Sequence, residues 1–161
     1  MEKGLIHLYT DGACSGNPGA GGYGIVLVCG SLRKELSEGF AVTTNNRMEL
    51  LAVIKGLEAI KWDRADVLVT SDSSYVVKAV SEGWLERWAR NGFVSKGGGR
   101  KAEVKNIDLW KALLPLLQKH NVRFEWVKGH NNHPENERCD RLAVAASRRE
   151  NLLTDTGYNN N

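Results

Sequence analysis

Apolar residues change their spacing along this chain, and the changes mark out its elements. Residues 5–10 and 24–29 are apolar runs of strand length separated by a glycine-rich stretch. Residues 33–42 read as a third strand, antiparallel to the second across a turn at 29–32. Residues 45–60 have helical composition and open on two asparagines, which suit a cap. A short β-branched strand over 67–70 precedes a helix from Ser73 onward. Short and longer helical patterns follow at 84–90 and 106–119, and Pro115 predicts a kink or break in the second. A fifth strand at 122–127 leads to a closing helix over 134–149, with proline near its first turn. Strands first and strand–helix–strand crossovers later predict an α/β fold, a mixed sheet flanked by helices on both faces. With no repeat and no linker, residues 1–161 read as one domain, with 84–105 as a protrusion and 159–161 as a tail.

Composition narrows the class without deciding it. A chain of 161 residues, 42% hydrophobic and 25% charged, can bury its own core. The apolar run before Asp11 is too short for a signal-peptide core, and no stretch approaches membrane-span length. Cys14, Cys29 and Cys139, odd in number and unevenly spaced, argue against a disulfide framework and for a reducing cytoplasm. Charge changes the picture more. Residues 84–105 hold six basic side chains (Arg87, Arg90, Lys96, Arg100, Lys101, Lys105) against two acidic ones (Glu86, Glu103), while the rest of the chain holds 16 basic and 17 acidic groups. Positive charge gathered in one segment points to nucleic acid as partner.

Four acids form the candidate centre. Asp11 ends the first apolar strand and Asp72 follows the fourth, so both lie at strand carboxyl ends, where sites form in open α/β sheets. Taken alone, Asp11 also reads as a turn residue and Asp72 as a helix cap. At about 100° per residue, Glu49 shares a helix side with Ala52, Val53, Gly56 and Ile60, and Arg47, Lys55, Glu58 and Lys61 take the other. A carboxylate facing inward is costly unless it is paired or metal-bound, though a capping glutamate is the ordinary alternative. Asp140 lies in the last helix, where a surface ion pair is the ordinary reading. Together the four offer only oxygen donors, which suit Mg²⁺ or Mn²⁺. A zinc set of His130, His133 and Cys139 lacks a second cysteine at finger-like spacing.

The stretch from Gly16 to Gly22 fits neither a dinucleotide fingerprint nor a P-loop, because a strand follows it and no Gly-Lys-Ser/Thr is present. It reads as a hairpin turn or as backbone that approaches nucleic acid, with Asn17 best placed to touch substrate. His130, in a loop ten residues before Asp140, is suited to moving protons near neutral pH. Trp84, Trp88 and Phe93 alternate with Arg87 and Arg90, as expected for a small core under a basic, backbone-gripping arm.

The motifs TDGACSGNPGAGGYG, TTNNRMEL, TSDSSYV, KNIDLW, WVKGHNNHPENERCDRLA and DTGY occur in the order seen in bacterial type 1 ribonuclease H, and the chain resembles that family over roughly residues 4–158. The resemblance implies a five-stranded mixed sheet flanked by helices. It implies that Asp11, Glu49, Asp72 and Asp140 bind metal and that His130 assists turnover. It also implies that Asn17, Thr44, Asn45, Asn46 and Ser74 meet an RNA–DNA hybrid, Thr44 toward a phosphate pocket, and that Trp84, Trp88 and Arg90 grip the DNA strand. Ser74 stands where a glutamine is usual, Phe93 replaces a common tryptophan, and the loop at 97–99 is lengthened. The expected chemistry is water attack on an RNA phosphodiester at two Mg²⁺ ions, leaving 5′-phosphate and 3′-hydroxyl ends, by a monomer. A DNA-cutting nuclease of the same fold and a noncatalytic hybrid-binding module are the rivals.

Overall fold

In the computed structural model the described residues are 4–97, 100–129 and 132–158, with backbone only over 94–97 and 100–103. Strands β1 (Ile6–Gly16), β2 (Gly19–Cys29) and β3 (Leu32–Thr43) form an antiparallel meander. β4 (Asp66–Ser71) then pairs parallel with β1. A short hairpin, β5 (Val94–Gly97) with β6 (Arg100–Glu103), stands apart from the main sheet. β7 (Asn121–Trp126) pairs parallel with β4, giving the mixed order β3-β2-β1-β4-β7. The helices are α1 (Asn45–Glu58), α2 (Ser74–Ser81), α3 (Trp84–Arg90), α4 (Ile107–Lys119) and α5 (Pro134–Ser147). The expected α/β fold is the one observed. No helix among the described residues is long and apolar enough to cross a membrane.

The glycines show how tightly this sheet is covered. Most of the stretch read as a turn is strand: only Asn17 and Pro18 separate β1 from β2. Side chains alternate across a strand, and here they point to two different helices. A Cβ on Gly22 would lie 2.5 Å from the Ala143 carbonyl oxygen of α5, and one on Gly24 would strike the Cys139 carbonyl. On the other face a Cβ on Gly21 would lie 3.2 Å from Met48 Cγ of α1. Both helices therefore ride against bare backbone, with the sheet between them. Leu8, Ile25, Met48, Leu50, Leu57, Trp110 and Leu113 are fully buried in the core on the α1 side.

Three local expectations are corrected. The cap of α1 is Thr44, whose hydroxyl accepts from the Arg47 N–H at 3.3 Å, so Asn45 and Asn46 lie inside the helix with their side chains exposed. Of the kink or break expected at Pro115, the break does not occur, since α4 runs on to Lys119. Arg47, placed on the outward side of α1 by its spacing, is 2% exposed. Its guanidinium meets Asp155 (2.7 Å) and Asp108 (2.7 Å), because α4 and the C-terminal segment cover that side of the helix. A helical wheel sees one helix, and burial here is set by its neighbours.

Candidate active site

Asp11 sits inside β1 rather than at its end, still paired with Gly24 of β2. The parallel pairing of β1 with β4 has stopped by then, at Tyr9 and Thr70. Its carboxylate thus stands where the parallel part of the sheet gives out, on the face toward α5. Tyr9, two residues earlier on the same face, meets the ring of His133 at 5.6 Å. Glu49 comes from α1, on the opposite face, and reaches Asp11 past Gly12. A Cβ at Gly12 would lie 2.6 Å from the Glu49 nitrogen, so the approach requires glycine. The Gly12 N–H then donates to both carboxylates, to Asp11 Oδ1 at 2.9 Å and to Glu49 Oε1. Asp72 is the residue after β4. It is not the cap of α2: Ser73 is, accepting from the Val76 N–H at 3.3 Å. Asp72 therefore keeps its carboxylate for the site. Asp140 lines the same cleft from α5 and is half-buried.

Carboxylate oxygens of Asp11, Glu49 and Asp72 all lie within 4.8 Å of one another. Asp11 and Glu49 are 5% and 4% exposed. Burial pushes the Asp11 carboxyl well above the ordinary range, and the charges of Glu49, Asp72 and Asp140 push it further. Glu49 is raised chiefly by burial too; Asp72 and Asp140 add to this, while its hydrogen bonds with Asp11 and the Gly12 N–H oppose it. The cleft, about 550 Å³, has no lysine or arginine among its described lining residues. Hard oxygen donors, crowded and without a countercharge among the described residues that line the cleft, fit a divalent cation such as Mg²⁺ or Mn²⁺.

The zinc alternative is not assembled among the described residues. Cys139 is fully buried under β2, and His133 caps α5 by accepting from the Asn136 N–H through Nδ1 at 3.3 Å. His130 lies outside the described residues.

Asn45, Asn46 and Ser74 line the acidic cleft, and Asn45 and Ser74 are exposed. Asn17 and Thr44 line a second cleft of about 600 Å³, which shares Asn46 with the acidic cleft and is also lined by Lys105, Asn106 and Tyr158. Asn17 Oδ1 accepts from the Asn45 N–H at 3.2 Å, tying the β1–β2 turn to the start of α1. Trp84, Trp88 and Arg90 line neither cleft. Trp88 meets Trp110 edge-on at 5.4 Å and Trp84 at 6.4 Å, so the two tryptophans brace α3 against α4. Arg90, at the end of α3, is exposed. Sequence reasoning does not single out Gly12, although Asp-Gly at a strand end is its signal. Arg47 with Asp155, separated by more than a hundred residues, has no local signal.

Sheet order and carboxylate set together define an α/β enzyme with an all-oxygen centre for a divalent metal. Comparison with known proteins agrees. The ribonuclease H family model matches residues 3–148. The ribonuclease H of Desulforamulus reducens is 56% identical over 150 residues, 93% of this chain and 92% of that protein. Among solved structures, LC9-RNase H1, a type 1 RNase H with the type 2 active-site motif, is 32% identical with a TM-score of 0.76, covering 91% of this chain and 74% of that one. LC11-RNase H1, solved in complex with an RNA/DNA hybrid, shares the fold at 24% identity and a TM-score of 0.65, covering 88% of this chain and 95% of that one. The chain belongs to the ribonuclease H family.

Proposed function

We propose that this protein is an endoribonuclease that hydrolyses the RNA strand of RNA–DNA hybrids at the cleft of Asp11, Glu49, Asp72 and Asp140. The observation that carries the reading is the convergence of three carboxylates within 4.8 Å at the end of the parallel sheet. Mg²⁺ is the assigned cofactor, two ions in the working site, held by these three acids with Asp140 beside them. Bound there, the metal supplies a Lewis acid that activates water and offsets charge at the scissile phosphate.

The protein's own groups do the rest. The Gly12 N–H fixes the Asp11 and Glu49 oxygens relative to each other. Asn45 and Asn46, exposed at the start of α1, are assigned to the hybrid's minor-groove edge, where an amide can read a 2′-hydroxyl. Thr44 and Asn17 in the second cleft, with Lys105, suit a backbone phosphate. Ser74 offers a shorter reach to the RNA, and Arg90 with Trp84 and Trp88 forms the arm that meets the DNA strand. His130 is assigned the proton transfer that frees product. It follows Gly129, where a Cβ would lie 2.8 Å from Asp72 Oδ2. Cleavage would leave 5′-phosphate and 3′-hydroxyl ends. A monomer in a reducing compartment completes the reading, in keeping with three free cysteines.

End-labelled RNA–DNA hybrid, duplex RNA and duplex DNA, each titrated with Mg²⁺, test this. The expected result is metal-dependent cleavage of the RNA in the hybrid alone. Cleavage of duplex DNA would assign the fold to a different nuclease, and tight hybrid binding without cleavage at any Mg²⁺ level would leave a binding module.

A further inference from the structure

Of the three clustered acids, Asp72 is the one that burial does least to hold. Asp11 and Glu49 are buried and share the Gly12 N–H, whereas Asp72 is half-buried, one residue beyond β4. The hold on it comes from the neighbouring strand and from Ser71. The β4–β7 ladder ends at the pair Ser71 and Trp126, and the Val127 N–H donates to the Ser71 carbonyl at 3.0 Å. Past that end, the indole Nε1–H of Trp126 donates to the Asp72 carbonyl at 3.0 Å. The Ser73 N–H, at the other end of the same peptide plane, donates to Ser71 Oγ at 3.0 Å. The Asp72–Ser73 peptide is thus gripped at both its polar atoms, so the backbone that aims the carboxylate cannot swing. Gly129 then closes against the carboxylate itself: a Cβ there would lie 2.8 Å from Asp72 Oδ2.

Trp126 is an odd residue to find here if its purpose were packing. It is 52% exposed, so much of the benefit of burying a ring this size is forgone. Its one polar atom is directed at Asp72.

We propose that Trp126 is a positioning residue for the metal-binding carboxylate of Asp72, acting through the Asp72 main-chain carbonyl. The ligand whose affinity it sets is a hard divalent cation. Its effect on cleavage rests on the ribonuclease H reading, while its effect on cation binding does not.

Trp126→Phe keeps an aromatic ring and removes the N–H. Calorimetric titration with Mn²⁺ is expected to show affinity weakened about tenfold. On labelled hybrid kcat falls while KM holds, since Trp126 lines neither substrate cleft. Ser71→Ala, which frees the other end of the peptide, is expected to weaken Mn²⁺ in the same direction. In an Asp72→Asn background Trp126→Phe changes Mn²⁺ affinity no further, because the carboxylate it positions is gone. Mn²⁺ affinity within about twofold of wild type in Trp126→Phe, or an equal loss with and without Asp72, overturns the proposal. If Trp126→Phe does not fold, 3-benzothienylalanine at position 126, an isostere without the N–H, carries the same titration. A wild-type protein that binds Mn²⁺ but cuts no hybrid would sink the proposed function and leave this proposal to the titration.

Discussion

Asp11 and Glu49 are carboxylates kept where ionisation is unfavourable, and that should register in stability before any substrate is added. Both folded pKa values are raised above the unfolded ones, by burial first and by neighbouring acids next. Their contribution is therefore fully present below the ordinary carboxylate range, about pH 4, and is lost as pH rises through the raised values. In EDTA the melting temperature should fall as pH climbs toward neutrality, and Mg²⁺ should restore it. Asp11→Asn should flatten that dependence. In metal-free buffer near neutral pH it should melt higher, by about 2–4 °C for each kcal/mol of repulsion relieved, and it should not cleave. Full activity in Asp11→Asn would remove it from the site. His120 works in the opposite sense. It is buried, its Nδ1 accepts from the Ala65 N–H at 3.0 Å, and burial, then Lys119 and Arg64, lower its pKa. The stability it supports is present above about pH 6.5 and is lost as pH falls toward the lowered value. His120→Asn can keep an acceptor for Ala65, so its melting curve should be flatter on the acid side.

At the scale of elements, the site depends on how closely α5 lies on the sheet. A Cβ at Gly24 would strike the Cys139 carbonyl and lie 2.8 Å from Leu142 Cβ, and no flexible side chain can yield to relieve the backbone clash. Gly24→Ala should cost about 1–3 kcal/mol. It should also lower kcat, because a displaced α5 carries Asp140 with it; an unchanged kcat would mean that Asp140 tolerates the shift. On the other face, the C-terminal segment is tied back by a network around one buried guanidinium. Asp155 accepts from Arg47 at 2.7 Å and from the Thr43 hydroxyl at 2.7 Å, and Leu153 pairs with β3 through Gly39 and Ala41. Asp155→Asn leaves Arg47 with Asp108 as its remaining carboxylate. Thermal denaturation should show a loss of about 3 kcal/mol, the lower part of the range for a broken buried pair.

At the scale of the whole molecule, the proposed function gives the basic segment the work of holding substrate and the acidic cleft that of cutting it. Arg87, Arg90 and Lys105 are exposed, while the side chains of Lys96, Arg100 and Lys101 lie outside the described residues. Removing a basic side chain that neutralises one phosphate should lower the slope of log K against log salt by about 0.9 for a B-form duplex. Arg87→Ala with Arg90→Ala should therefore weaken hybrid binding and reduce that slope by roughly 1–2, leaving kcat at saturating substrate close to wild type. A slope unchanged in the double variant would place the phosphate-binding groups elsewhere.

Much of this architecture was written in local pattern. Strand and helix periods, the proline at the start of α5 and the acids near strand ends are properties of short stretches, and a chain carrying them has few ways to fold. The same holds for the charge of the arm. What the sequence could not decide depends on residues far apart in the chain. Thr44 rather than an asparagine caps α1, and Arg47 is buried because Asp108 and Asp155 arrive from elsewhere. Glycines that read as turn are strand, with α5 against the backbone of Gly22 and α1 against that of Gly21. Alone, Asp11 reads as a turn residue and Asp72 as a cap, and Glu49, facing inward, reads as well as a capping acid as it does as a metal ligand. Only the tertiary structure gathers them within 4.8 Å, where burial and mutual repulsion make a cation the natural fourth member.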